Sequence, residues 1–232
     1  MKRRLVLFDI DGTLLTSMRA GWQALRAAFA EEYSALEFFE TVRFDGKTDL
    51  QIISELHTAA GFPERATSDR SMKILDRYLT HLEVAVTDRV DRVRPCAGVG
   101  ELLDALDNQP DVVVGLLTGN VMPGARVKLG AAGIAFDRFL LGAYGSDSAH
   151  RPDLPPIAAA RANPLFGRTP HGEEVVIIGD TPADVACGAG INARAIAVAT
   201  GSYSVADLEK TGAYATFPTL ADTGAVLKAI LT

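Results

Sequence analysis

The sequence predicts an α/β protein with a doubly wound parallel sheet and an inserted helical segment, and three observations carry that expectation. Apolar, β-branched runs without polar alternation recur along the second half of the chain, as strands covered on both faces require. Helical patterns separate those runs, which implies right-handed crossovers and parallel pairing. The stretch from about Thr16 to Arg92 holds helical patterns only, so it reads as an insertion between the first strand and the remainder of the sheet.

In chain order, the first strand is the short apolar run from Leu5 to Phe8, which ends in Asp9-Ile10-Asp11-Gly12-Thr13. Helical patterns follow over Ser17–Tyr33, Thr48–Ala60 and Asp69–Val86, the last two separated by the breaker Gly61-Phe62-Pro63. Arg94-Pro95-Cys96-Ala97-Gly98 marks the return to the sheet, which divides the chain into a core of residues 1–15 and 95–232 and a helical domain of residues 16–94. Beyond it the expected order is helix Val99–Leu106, strand Asp111–Leu117, helices Pro123–Ala132 and Leu154–Ala162, and strand Glu174–Ile178. Helix Pro182–Ala189, strand Arg194–Ala199, helix Val205–Lys210, strand Tyr214–Phe217 and helix Leu220–Leu231 complete it.

Composition narrows the function classes. Lys plus Arg total 23 against 29 Asp plus Glu, a formal charge of −6, which argues against a general nucleic-acid binder. The two cysteines, Cys96 and Cys187, have no metal-like spacing and no N-x-[ST] sequon occurs, both of which fit a reducing cytoplasm. Met1-Lys2-Arg3-Arg4 looks like a basic leader start, but its apolar run stops at Phe8 and meets two aspartates, short of the ~7 to 15 apolar residues a signal peptide needs. No apolar run approaches the ~20 residues of a membrane span, so no membrane partner is expected.

Three strand ends carry chemistry. Asp9 and Asp11, two apart in extended chain, leave on the same side, and two carboxylates so close want a shared proton or a divalent cation. Asp11-Gly12 is equally a turn signal. Leu116-Leu117-Thr118-Gly119-Asn120 puts a hydroxyl before a glycine, where backbone N–H groups can meet an anion, and it reads as well as a turn and helix cap. In Ile178-Gly179-Asp180-Thr181-Pro182-Ala183-Asp184, Thr181, Pro182 and Asp184 form a capping-box-like N-terminus, while Asp180, a carboxylate at a buried strand end, needs a partner. Open parallel sheets bind ligands at this edge.

In order and combination, D-x-D-G-T-L, a strand ending in T-G-N and I-I-G-D-T-x-x-D resemble the haloacid dehalogenase-like hydrolase superfamily. The helical insertion directly after the first motif resembles members with a helical cap of the phosphoglycolate phosphatase-like kind. The resemblance implies a Mg²⁺-dependent phosphotransfer through an aspartyl-phosphate. Asp9 would be nucleophile and Mg²⁺ ligand; Asp11 would be general acid and base, with its backbone carbonyl on the metal. Thr118 and the N–H groups of Gly119 and Asn120 would hold the phosphoryl group, Asp180 would bind Mg²⁺ and Asp184 would orient the metal shell.

The family pattern has a lysine, often followed by proline, between the second and last motifs, and no Lys occurs here between Gly130 and Lys210. Arg151-Pro152 occupies the region, so Arg151 is expected to contact Asp9 and the phosphoryl group, with Lys128 in reserve and Arg161 on a solvated face. A second carboxylate at Asp11 favours phosphate ester hydrolysis over halide release, because an alkoxide leaving group needs a proton. A phosphomutase, a phosphonate hydrolase using Lys47 or Lys73, and an inactive phosphate-binding relative are the alternatives. In the insertion, Arg43 to Asp49 reads as a substrate-facing loop with Lys47 as a contact, or as a loop that Thr48 caps; it is no P-loop, since Thr41 stands where a glycine is needed. Trp22 and Phe38-Phe39 read as packing. The expected partner is a small phosphorylated metabolite, the expected form a monomer or homodimer.

Overall fold

A computed structural model describes residues 3–88 and 93–232. The chain runs β1 (Arg4–Phe8), β2 (Leu15–Thr16), α1 (Ala20–Ala30), α2 (Asp49–Ala59), α3 (Ser68–Thr87), β3 (Arg94–Pro95), α4 (Val99–Asp107), β4 (Val112–Leu117) and α5 (Met122–Ala131). It continues through β5 (Leu141–Ala143), α6 (Leu154–Arg161), α7 (Asn163–Phe166), β6 (Val175–Gly179), α8 (Pro182–Cys187), β7 (Arg194–Val198), α9 (Val205–Glu209), β8 (Ala215–Phe217) and α10 (Thr223–Leu231). Single turns of 3₁₀ helix include Glu37–Thr41 and Arg151–Asp153.

Six strands form one parallel sheet in the order β5-β4-β1-β6-β7-β8, with Leu5 of β1 registered against Val113 on one side and Val175 on the other. Alternate side chains of β1 therefore enter separate cores. Leu5 and Leu7 pack with Val113, Val175 and Leu154 of α6, whereas Val6 and Phe8 pack with Val114, Ile178 and the core that continues into the insertion. Burial on both faces explains why these strands lack polar alternation. The chain fills one side of β1 with β4 and β5 and then crosses to β6, so the order reverses at β1 and β6, and a crevice opens beyond their carboxyl ends.

The expected fold class is the one observed, with differences at the edges. Helix α1 begins at Ala20, because Met18 and Arg19 take φ of 47° and 67°, left-handed backbone that cannot continue a helix into Ser17. Strand β5 was not expected: Leu141-Gly142-Ala143 is too short to show a period and pairs through position alone. Helix α10 starts at Thr223 instead of Leu220, where the Asp222 carboxylate accepts from the Ala225 N–H at 3.0 Å. The antiparallel pair β2–β3, Leu15 opposite Pro95 and Thr16 opposite Arg94, ties together the two chain crossings into the insertion. The expected end of the insertion at Arg92 lies outside the described residues. Within it α1 packs on α3, and α3 also packs on α5.

Candidate active site

Asp9 follows β1 directly, and its N–H donates to the Ile178 carbonyl at 2.9 Å, so the ladder continues one residue past the strand and sets Asp9 beside Asp180 at the end of β6. Asp180 accepts from the Thr13 hydroxyl at 3.0 Å. Gly12, at φ 85°, makes the turn between them, and a Cβ there would overlap the Asp180 carboxylate. Asp184 closes the capping box of α8: its Oδ2 accepts from the Thr181 N–H (2.9 Å) and hydroxyl (2.6 Å), while its own N–H donates to Thr181 Oγ1 at 3.3 Å. Asp9, Asp180 and Asp184 are all buried, and one carboxylate oxygen from each lies within 4.8 Å of the others.

Arg151, buried in the 3₁₀ turn before α6, lies with Nη2 3.3 Å from Asp9 Oδ1 and donates to Asp184 Oδ1. Burial, and then the Asp184 charge, push the Asp9 carboxyl up to about 7 against the pull of Arg151. Burial and the charges of Asp184 and Asp9 also hold Asp180 well above the usual carboxylate range. The cluster is thus rich in negative charge even with the guanidinium in place.

Asp11 belongs to a different network. Its Oδ2 accepts from Lys128 Nζ (2.6 Å) and Asn120 Nδ2 (2.8 Å), and its Oδ1 from the Ser17 hydroxyl (2.9 Å). Burial opposes ionisation, yet Lys128 and these hydrogen bonds win, and the Asp11 carboxyl sits below its ordinary value. Lys128, itself buried on α5, also donates to Asn120 Oδ1 at 2.6 Å; burial disfavours its charge, but Asp11, Tyr78 and Asp49 raise its pKa. Asn120 completes the ring by donating from Nδ2 to Thr118 Oγ1 at 2.8 Å.

Gly119 has a second role besides any anion. A Cβ there would overlap the Lys47 carbonyl, and Gly119 O accepts from the Asp49 N–H at 2.8 Å, so the 43–49 loop rests directly on the end of β4. Asp49 Oδ2 accepts from the Val121 N–H (2.8 Å), and the Thr48 hydroxyl donates to Ala149 O (2.8 Å) while capping α2.

Of the residues singled out in the sequence, Asp9, Asp180, Asp184 and Arg151 form one cluster. Asp11, Thr118 and Asn120 form a second, tied to Lys128, which meets Asp11 and not Asp9. Lys47 lines the cavity above both, with its ammonium 2.5 Å from Glu55. Lys73 is exposed and outside that lining, and Arg161 pairs with Asp147 at 2.6 Å. Trp22 and Phe39 pack edge to face with ring centroids 5.6 Å apart, and both also face the cavity. Sequence reasoning missed the Asp11–Lys128–Asn120 ring. Its signal was a lone lysine on the small, buried stripe Gly124, Ala125, Lys128, Leu129 of α5.

A doubly wound α/β protein with an acidic cluster at the switch point of its sheet and a helical insertion above it defines the class. The chain belongs to the haloacid dehalogenase-like hydrolase family, whose profile matches residues 6–198. Among solved structures it is similar to a hydrolase from Pseudomonas syringae (21% identity, TM-score 0.76, 100% of each chain). It is also similar to a predicted phosphoglycolate phosphatase from Haemophilus somnus (17%, TM-score 0.68, covering 98% of this chain and 99% of that one). A third is a β-phosphoglucomutase from Clostridium difficile (15%, TM-score 0.72, 99% and 97%). At these identities the likeness is one of fold. No curated protein sequence matches the chain. Among the described residues no helix is long and apolar enough to cross a membrane.

Proposed function

We propose that the chain is a Mg²⁺-dependent phosphatase for a small phosphorylated metabolite, working through an aspartyl-phosphate on Asp9. The observation that supports it is the contact of Arg151 with Asp9 inside a carboxylate cluster, while a second carboxylate, Asp11, stands two residues away on its own network. Two carboxylates in distinct electrostatic surroundings suit distinct roles.

In the first step an Asp9 oxygen attacks phosphorus, the ester P–O bond breaks, and the leaving oxygen takes a proton from Asp11. In the second, the Asp11 carboxylate takes a proton from water as its oxygen attacks phosphorus; the bond to Asp9 breaks and inorganic phosphate leaves. Arg151, the Thr118 hydroxyl and the N–H groups of Gly119 and Asn120 serve the equatorial oxygens, and Lys47 reaches the cavity from the insertion. The network around Asp11 favours the carboxylate, the form that the second step uses, so the proton given to the leaving oxygen in the first step has to be taken up by Asp11 against the pull of Lys128.

Three buried carboxylates within 4.8 Å, hard oxygen donors whose charge the single Arg151 guanidinium only partly offsets, fit Mg²⁺. Asp9, Asp180 and the Asp11 carbonyl would hold it, and Asp184, occupied by Thr181 and Arg151, would orient the set. When bound, Mg²⁺ supplies positive charge for the phosphoryl oxygens in the transition state. In this reading residues 16–94 are the cap and the remainder is the catalytic core. The formal charge of −6 argues against nucleic-acid binding, and the cysteine usage fits a cytoplasmic enzyme, proposed as a monomer or homodimer with no membrane partner.

Hydrolysis of p-nitrophenyl phosphate and of a panel of phosphorylated sugars, glycolate-like acids and nucleotides tests the reading. Wild type should release phosphate only with Mg²⁺, and Asp9→Asn should release essentially none. Equal rates for the two proteins, or no response to Mg²⁺, would overturn it.

A further inference from the structure

Between the strand ends and the insertion lies a cavity of about 600 Å³. Phosphate and metal need only its floor, at Asp9, Thr118 and Asp180. Above that floor the walls carry an apolar patch among charged residues: Trp22 and Leu25 from α1, Phe39 and Val42 at the 3₁₀ turn, Phe44 in the loop and Ile52 on α2 all face the cavity. A space of this size with such walls suits an apolar group as large as a ring.

The charges around it are already matched. Among the described residues that line the cavity, Arg19 lies 4.0 Å from Glu40 and over the Trp22 ring, with its guanidinium carbon 4.2 Å from the centroid. Lys47 pairs with Glu55, whose other oxygen accepts from Gln51 at 3.0 Å. Lys128 pairs with Asp11 at 2.6 Å, and Arg151 with Asp9 and Asp184. Asp45 and Asp49 add further carboxylates to the upper lining. A second anionic group on the substrate, a carboxylate or another phosphate, placed inside the cavity would have to part Lys128 or Arg151 from its carboxylates or sit among carboxylates itself, and either is costly, while Arg19 and Glu40 are exposed at the rim and their pair adds little to that cost.

Resting on the phosphatase reading, we infer that the leaving group is an uncharged, largely apolar alcohol, so that the substrate is a phosphate monoester of that class and neither a phosphorylated carboxylic acid nor a bisphosphate. Trp22 and Phe44 are then specificity-determining residues: they contact the alcohol and take no part in the phosphoryl chemistry.

The test compares kcat/KM in Mg²⁺ for 2-phenylethyl phosphate, 2-phosphoglycolate and a hexose 1,6-bisphosphate, with acetyl phosphate reporting the phosphoryl machinery by itself. The first two leave as alkoxides of similar basicity, so the comparison reads the cavity. We expect 2-phenylethyl phosphate to lead by about 100-fold, as burial of an unpaired charge against burial of a ring implies. In Trp22→Ala its advantage over acetyl phosphate should shrink about tenfold, chiefly through KM, with Trp22→Phe recovering most of the loss. Because Trp22 is the chain's only tryptophan, quenching of its fluorescence by 2-phenylethylphosphonate, and none by phosphonoacetate at equal concentration, reads the same preference without turnover. Hydrolysis of acetyl phosphate together with equal or better use of phosphoglycolate or the bisphosphate overturns this inference and leaves the phosphatase reading standing. No Mg²⁺-dependent hydrolysis of any of the four overturns both.

Discussion

Arg151 bridges Asp9 and Asp184 with one nitrogen, which makes it the residue on which the cluster's geometry turns. Replacing it with alanine leaves Asp184 buried beside Asp9 with no cation between them. On the proposed mechanism kcat should fall by about 10² to 10³, as for loss of one transition-state donor, and a change confined to KM would deny it that role. Lys128 acts through Asp11. Lys128→Met should raise the Asp11 pKa and move the acid limb of the kcat profile to higher pH, which a pH–rate series would detect. The two cations differ in how far they could be read from sequence. Arg151 stood at a motif position and could be assigned by charge alone. The partner of Lys128 depends on how α5 turns toward Asp11, and no spacing along the chain encodes that.

At the level of elements, contacts between the insertion and the strand ends decide the shape of the cavity. Gly119→Ala would drive a methyl into the Lys47 carbonyl and lift the 43–49 loop from β4. Raised KM and a loss of about 1 to 3 kcal/mol of stability, as for overpacking, are expected, measured by kinetics and denaturant melts. A second effect belongs to α2 and the segment that follows α1. His57 is buried, with Nδ1 2.7 Å from the Tyr33 hydroxyl and Nε2 without a partner, and burial holds its pKa below the ordinary 6.5. The unfolded chain therefore binds the proton more readily, so this residue withdraws stability as pH falls through about 6.5. The melting temperature should drop on that side in wild type and drop less in His57→Gln. These helices were legible as helices from their apolar period. Their ends were not: the left-handed Met18 and Arg19 carry no glycine to announce them.

For the whole molecule, the carboxylate cluster predicts that metal and stability are linked. Asp9, Asp180 and Asp184 repel one another in the folded state, so Mg²⁺ at 100 times its Kd should add about 2.7 kcal/mol and raise the melting temperature. Asp180→Asn should melt higher than wild type without metal and lose the Mg²⁺ increment; a wild-type melt indifferent to Mg²⁺ would contradict the proposed centre. The sheet itself was largely legible because its strands are apolar on both faces, and Asp9 and Asp180 were legible because they interrupt those runs at their ends. The short β5 and the β2–β3 pair were not, since two or three residues show no period and hold only by what surrounds them.

The register of β1 also has a consequence for synthesis. Its Leu5 pairs with Val113 and Val175, so β1 leaves the ribosome before either of the strands that flank it. Until β6 has emerged, Asp9 has no Ile178 carbonyl to hold it and no neighbour at Asp180. The nascent chain must keep an apolar segment without a partner until β4 has emerged and with one open edge until β6 follows, a window of exposure to aggregation and chaperone capture set by sheet order.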